Sequence, residues 1–219
     1  KKNNFLFLLF FVSNICFSQN YHTTSELLGQ DQVNAITTAV PFLMIDPDAR
    51  AGSMGDVGVA STPDVNSMHW NPAKYAFINK NMGFSVSYAP WLRALVNDIN
   101  LAYLAGYKKF GNDQALAASL RYFSLGDIIF TNILGEVITN FKPNEFAIDL
   151  AYSRKFSKTF SGAVALRYIY SNLTGGIDVN GAESHPGRSV AADVSVFYNK
   201  PFQINHKKAN LSFGTNISN

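Results

Sequence analysis

Pro41 to Pro72 reads PFLMIDPDARAGSMGDVGVASTPDVNSMHWNP, and it divides the chain into two regimes. Before it lie an address and a tether; after it the sequence alternates with a period of two. Gly52, Gly55 and Gly58 recur every three residues, a spacing suited to positive φ or to close backbone packing. Asp46, Asp48, Arg50 and Asp56 are charges among mostly apolar neighbours, and such groups, if buried, need partners. Asn71-Pro72 suits a helix start, with Asn71 as cap and Pro72 at the first helical position.

From Met82 onward the alternation defines strands. Phe84, Val86 and Tyr88 share one face, with Ser85, Ser87 and Ala89 on the other. Ile99, Leu101, Tyr103, Ala105 and Tyr107 alternate with Asn100, Ala102, Leu104 and Gly106. The same pattern runs through Leu116–Tyr122, Phe146–Tyr152, Val164–Tyr170, Val190–Tyr198 and Leu211–Ile217. That makes about seven strands of roughly ten residues, the length that crosses a bilayer when tilted. A further strand is possible over Ile128–Leu134, an apolar stretch that suits either an extra hairpin or a place in the barrel mouth. One face of each strand is apolar, often with Tyr near an end. The other carries Ala, Ser and Gly with Arg121, Asp149, Arg167 and Asp193, which most simply pair inside a lumen. A soluble sandwich also alternates, but its wet face would be rich in Lys, Glu and Thr. The alternation therefore predicts an antiparallel transmembrane β-barrel, with aromatics at the interfaces.

Connection lengths fit. Lys108–Gln114 and Lys155–Thr159 are short, and Asn199–Lys207 reads as a looser turn of the same end; Leu92–Asn97, Ser124–Asn144 and Thr174–Gly187 lie at the other end, the last two long. Short turns face the periplasm in such barrels and long loops face outside. The outer loops are the expected partner contacts, through Trp91, Leu92, Ile129, Phe130, Gly175 and Gly176, with the glycines lending adaptability.

Composition agrees. Charged residues are only 15%, below the usual quarter of a soluble domain. Mean hydropathy near zero excludes a helical membrane bundle. Residues 1–19 read as a signal peptide: Lys1-Lys2 precede an apolar Phe5–Val12, too short to span a bilayer, with cleavage near Ser18-Gln19. Removing those two lysines from 18 basic residues leaves 16 against 15 acidic, so nucleic-acid binding has no electrostatic support. Cys16, the only cysteine, leaves with the signal, and the mature chain lacks thiol chemistry. Residues 20–40 read as a flexible mature N-terminus, 41–78 as a plug-like segment and 79–219 as barrel.

An Asp-Ala-Arg-Ala-Gly-x-Met-Gly run (Asp48, Arg50, Gly52, Met54, Gly55), then Val59-Ala60, then Trp70-Asn71-Pro72-Ala73, resembles the N-terminal region of the FadL-like outer-membrane barrels. Within them it most resembles the PorV family of the Bacteroidetes type IX secretion system, from about Pro41 to the C-terminus. The resemblance implies a fourteen-stranded barrel, so the sequence reads as its N-terminal, incomplete part of seven or eight strands. Alone, with unpaired edges, that part is expected to be unstable in lipid. The resemblance also implies a place in the Gram-negative outer membrane and a role in protein export. The implied partners are a large translocon protein, cargo carrying C-terminal signal domains, a surface sortase complex and membrane lipid. The alternative is a FadL-type transporter of hydrophobic small molecules, which needs an apolar conduit and a movable plug.

No catalytic, cofactor or metal constellation appears in the sequence. His22, His69, His185 and His206 lack metal spacing, and nucleophile-elbow, zincin and Walker motifs are absent. Asp46-Pro47-Asp48 offers only half a calcium loop. Arg50 is expected to pair with a nearby Asp, and Trp70 to act as a packing wedge. A binding rather than an enzymatic role follows.

Overall fold

The computed structural model describes residues 40–91, 98–131, 134–173, 175, 178–179, 182–183, 185–204 and 207–218. The expected signal peptide, residues 20–39, Leu92–Asn97, Gly176 and His206 lie outside the described residues.

Period-two alternation becomes a seven-stranded antiparallel sheet ordered β1-β2-β3-β6-β7-β10-β11. Its strands are β1 (Met82–Pro90), β2 (Ile99–Phe110), β3 (Gln114–Leu125), β6 (Asn144–Lys155), β7 (Phe160–Asn172), β10 (Gly187–Ile204) and β11 (Lys207–Ile217). The sheet curls into a half-barrel, an incomplete barrel whose two edges, β1 and β11, pair only inward. Two small hairpins leave its long-loop end: β4 (Ile128–Thr131) with β5 (Val137–Phe141), and β8 (Asp178–Val179) with β9 (Ala182–Glu183). Of the segment Ile128–Leu134, residues 128–131 form a strand of the extra hairpin that the sequence allowed, and this strand pairs with β5 and does not join the main sheet. No helix among the described residues is long and apolar enough to cross a membrane.

The two faces of the sheet differ as the alternation requires. Phe84, Leu120, Leu150, Leu166, Val194 and Phe213 are exposed on the convex side. Ala117, Ser119, Ala147, Asp149, Ala165 and Ser195 are buried on the concave side. β2 departs from expectation. Its more apolar face, Leu101, Tyr103, Ala105 and Tyr107, turns inward and is buried, while Leu104 and Lys108 point out. The reason is what fills the concavity: Tyr107 packs against Tyr75, ring centroids 5.3 Å apart, and Leu101 packs in a cluster with Phe42. Apolar side chains here serve an internal core, not lipid.

Asn199–Lys207 also departs from expectation. β10 pairs with β11 as far as Ile204 opposite Lys207, and Pro201 stands opposite Asn210. β7 stops at Phe160 opposite Tyr198, the Asn199 amide still donates to the Thr159 carbonyl at 2.8 Å, and beyond it β10 pairs with no strand on that side among the described residues. Pro is tolerated on such an edge.

Candidate functional site: a plugged concave face and the outer hairpins

The filling is the segment from Pro41 to Ile78. It contains two single-turn α-helices, α1 (Ala49–Ser53) and α2 (Ser67–Trp70), and 3-10 turns at Pro41–Met44 and Pro72–Phe77. Asn71 caps the second 3-10 turn, accepting from the Ala73 amide at 3.0 Å, and Pro72 follows it. That turn touches β2, β3, β6, β7 and β10 from inside the curl.

Hydrogen bonds pin this segment to the wall. Asn71, fully buried, donates from Nδ2 to the Val196 carbonyl at 2.9 Å and to the Val59 carbonyl at 3.0 Å. Ser195 Oγ accepts from the Ala73 amide at 3.1 Å, and Ser161 Oγ donates to the Ala73 carbonyl at 2.7 Å. Lys109 Nζ donates to the Ile78 carbonyl at 2.7 Å. Arg121 Nη1 donates to the Leu43 carbonyl at 2.6 Å and to the Phe42 carbonyl at 3.3 Å. These bonds to the wall fall near both ends of the segment, at residues 42–43 and 71–78, and the small wall residues predicted from sequence are what let it approach so closely.

Within the segment, Lys74, Tyr75 and His69 are satisfied, whereas Asp46 Oδ2 and Trp70 Nε1 are buried without a hydrogen-bond partner. Lys74 Nζ, buried, donates to the Gly58 carbonyl and to Ser61 Oγ at 2.8 and 2.9 Å. Burial brings its pKa down to about 8, with Asp64 opposing that shift. Tyr75 Oη donates to the Val65 carbonyl at 2.6 Å and accepts from the Met68 amide at 2.9 Å; burial raises its pKa. His69 Nδ1 lies 2.7 Å from Arg121 Nη2. A guanidinium only donates, so Nδ1 accepts and the ring is neutral. Burial, and then Arg121 and Arg167, hold its pKa down to about 3.

The residues singled out by sequence fall as follows. Asp48 caps α1, accepting from the Arg50 amide at 3.0 Å. Arg50 pairs with Asp64 at 2.6 Å and not with the acids beside it. Gly55 adopts φ +77°, while a Cβ on Gly58 would stand 2.1 Å from the Trp70 ring; Trp70 is a wedge laid on that glycine. Gly52 approaches Asp46, whose Cβ-equivalent contact would be 3.2 Å, and Met54 is exposed. Asp46, Asp48 and Asp56 line one hollow of about 580 Å³ that also reaches Trp91. Burial raises the Asp46 pKa, aided by Asp48 and Asp56. Among the described residues no group of three or more His, Cys, Asp or Glu is arranged to hold a metal ion.

The four lumen charges do not form one network. Arg167 bridges Asp149 at 2.5 Å and Asp193 at 3.0 Å, and Ser119 and Ser218 donate to these carboxylates. Arg121 instead holds the plug through carbonyls and His69, with its guanidinium 5.5 Å from the Tyr103 ring centroid. Sequence reasoning missed His69, Lys109, Ser161 and Ser195 as pinning residues, and Lys74 as a tie within the segment. Their only signal was polarity on faces expected to be enclosed.

Of the outer-loop residues, Trp91 and Ile129 are exposed and Phe130 is half-buried. Leu134 and Val137 are exposed as well, making an apolar outer hairpin of β4 and β5. Gly175, expected to be adaptable, takes φ +66° and sits where a Cβ would be 2.6 Å from Phe141, so it packs on this hairpin.

No curated protein matches the chain. The model of a family described as "Type IX secretion system protein PorV" matches residues 28–219. With most of its length matched, and with a plugged, curled antiparallel sheet, the chain belongs to the PorV family and is a component of type IX secretion.

Proposed function

We propose that the protein resides in the outer membrane of a Gram-negative cell and works by binding partners, not by catalysis or by conducting solutes. It associates with the large translocon protein, accepts cargo bearing C-terminal signal domains, and passes that cargo to the surface sortase complex. The supporting observation is the combination of a concave face closed by a many-point hydrogen-bonded segment with an exposed apolar hairpin at the long-loop end. Buried apolar anchors of this kind carry most of the binding energy at interfaces. The FadL-type alternative has less support, because the segment is pinned on several strands and the apolar hollow of about 990 Å³ lies on the convex face.

The test has two arms. Deleting the gene should abolish surface display of signal-bearing cargo; unchanged display refutes the secretion role. Ile129→Asp with Val137→Asp should leave the barrel in the membrane and remove the translocon from detergent pull-downs. Undiminished co-purification refutes the hairpin as the contact.

A further inference from the structure

The convex face is not evenly studded. Strand register sets Phe84 opposite Gly106, Gly106 opposite Ala118, Ala118 opposite Leu150, and Leu150 opposite Leu166. One row therefore runs large, none, small, large, large. Leu104 and Leu120 bound the two small positions on one side, and Lys108 and Leu116 on the other. The result is a hollow of about 990 Å³ in a face that elsewhere carries mainly Leu, Ile, Val, Phe and Tyr, with Ala192 a further small position beyond Leu166. Specific small-molecule sites span about 300–1,000 Å³.

The backbone does not require the glycine. Gly106 is not left-handed, and a Cβ there would meet only ordinary contacts, 3.5 Å to the Gly83 carbonyl oxygen and 3.9 Å to Phe84 Cβ. A larger residue could have filled the hollow. Its lining is mostly apolar, with Ser85 and Ser119 partway along it, and Lys108, near the short-turn end, is the one charged residue among the described residues that line it. Lys108 Nζ lies 5.7 Å from the Phe110 ring centroid, at the last aromatic position of β2. Arg154 points out from β6 at the same end, opposite Gln114, and is exposed. Asp113, in the adjacent turn, is the nearest acid along the chain to Lys108.

An apolar trough with a cation where the aromatic girdle meets headgroups matches one chemistry: an acyl chain ending in a phosphate. We propose that this hollow is a site for a single glycerophospholipid of the leaflet on the short-turn side. One acyl chain lies over Gly106 and Ala118, and the phosphate is held by Lys108. This rests on the membrane reading above, since a convex face in water would offer no such ligand.

The test uses the protein purified from outer membranes in mild detergent, exchanged into mixed phosphatidylethanolamine and phosphatidylglycerol, and followed by native mass spectrometry through stepwise detergent washing. The wild type should retain one phospholipid after bulk lipid is gone. Gly106→Leu with Ala118→Leu should retain none. Lys108→Gln, on an exposed position that does not threaten folding, should lower retention about fivefold, the effect of one basic residue at a lipid phosphate. Equal retention by all three overturns the site. A photo-reactive residue replacing Leu120 should yield an adduct of phospholipid mass; an adduct of a protein instead assigns the hollow to a partner and overturns the proposal. Fractionation separates the two failures. Wild type found outside the outer membrane refutes the membrane reading and this site with it, whereas membrane location with equal retention refutes the site alone.

Discussion

Replacing Asn71 by Asp separates a local helix cap from a lock between plug and wall. Asp caps helices as well as Asn does, so the Ala73 amide keeps its acceptor. If capping were the residue's whole role, Asn71→Asp would be silent. The structure predicts otherwise. Nδ2 donates to two carbonyls, of Val59 within the segment and Val196 on the wall, at 3.0 and 2.9 Å in a fully buried position. An Asp oxygen there meets two acceptors with no proton to share, or must take one up. Two lost hydrogen bonds cost about 1 kcal/mol each, and the buried acceptors left facing one another add about 1–3. A local loss near 4 kcal/mol follows, which speeds opening-limited amide exchange about a thousandfold. Hydrogen exchange read by mass spectrometry on peptides covering 58–78 in detergent should show that loss, with β6 and β7 peptides still protected. Wild-type protection across 58–78 in Asn71→Asp would refute the lock.

Other substitutions probe the same design. Gly214→Val places a Cβ about 2.4 Å from the Val59 carbonyl oxygen and 2.7 Å from Asn71 Nδ2; the plug must shift, so residues 58–71 should become protease-sensitive at a cost of about 1–3 kcal/mol. Arg167→Met removes the guanidinium from two buried carboxylates and should cost about 3–5 kcal/mol in thermal or urea unfolding, whereas adding Asp149→Asn and Asp193→Asn should recover most of it. Lys74 gives a pH signature. Its folded pKa of about 8 lies below the ordinary 10.5, so between these values the unfolded chain holds more protons and stability rises with pH. The full rise is roughly 3 kcal/mol, and the difference between wild type and Lys74→Met melting midpoints from pH 7.5 to 10 should reveal it; parallel curves contradict the burial of the amine.

The strands were legible because period-two alternation is imposed by backbone geometry, and the six outward faces other than that of β2 follow from it. β2 was misread for a physical reason. Apolar residues on an inner wall look the same in sequence as apolar residues facing lipid, and only the plug residues opposite, Tyr75 and Phe42, decide between them. The 3-10 start at Asn71-Pro72 was legible because capping is local. The split of Arg121 from the Arg167 group was not, because it depends on where residues 42, 43 and 69 arrive across the curl. The Asn199–Lys207 segment misled because Pro201 reads as a turn unless the strand beside it is known to have ended.

The convex face should meet acyl chains while the plug closes the concave one. Nitroxide labels placed singly at Ile148, Leu150, Leu166 and Val194, with Ala147 and Ala151 for comparison, test it in native membranes. The first four should collide with oxygen far more than with a water-soluble nickel chelate, and the two inner positions should be shielded from both. Collision with the chelate at Leu150 and Leu166, or no alternation along β6, would contradict it.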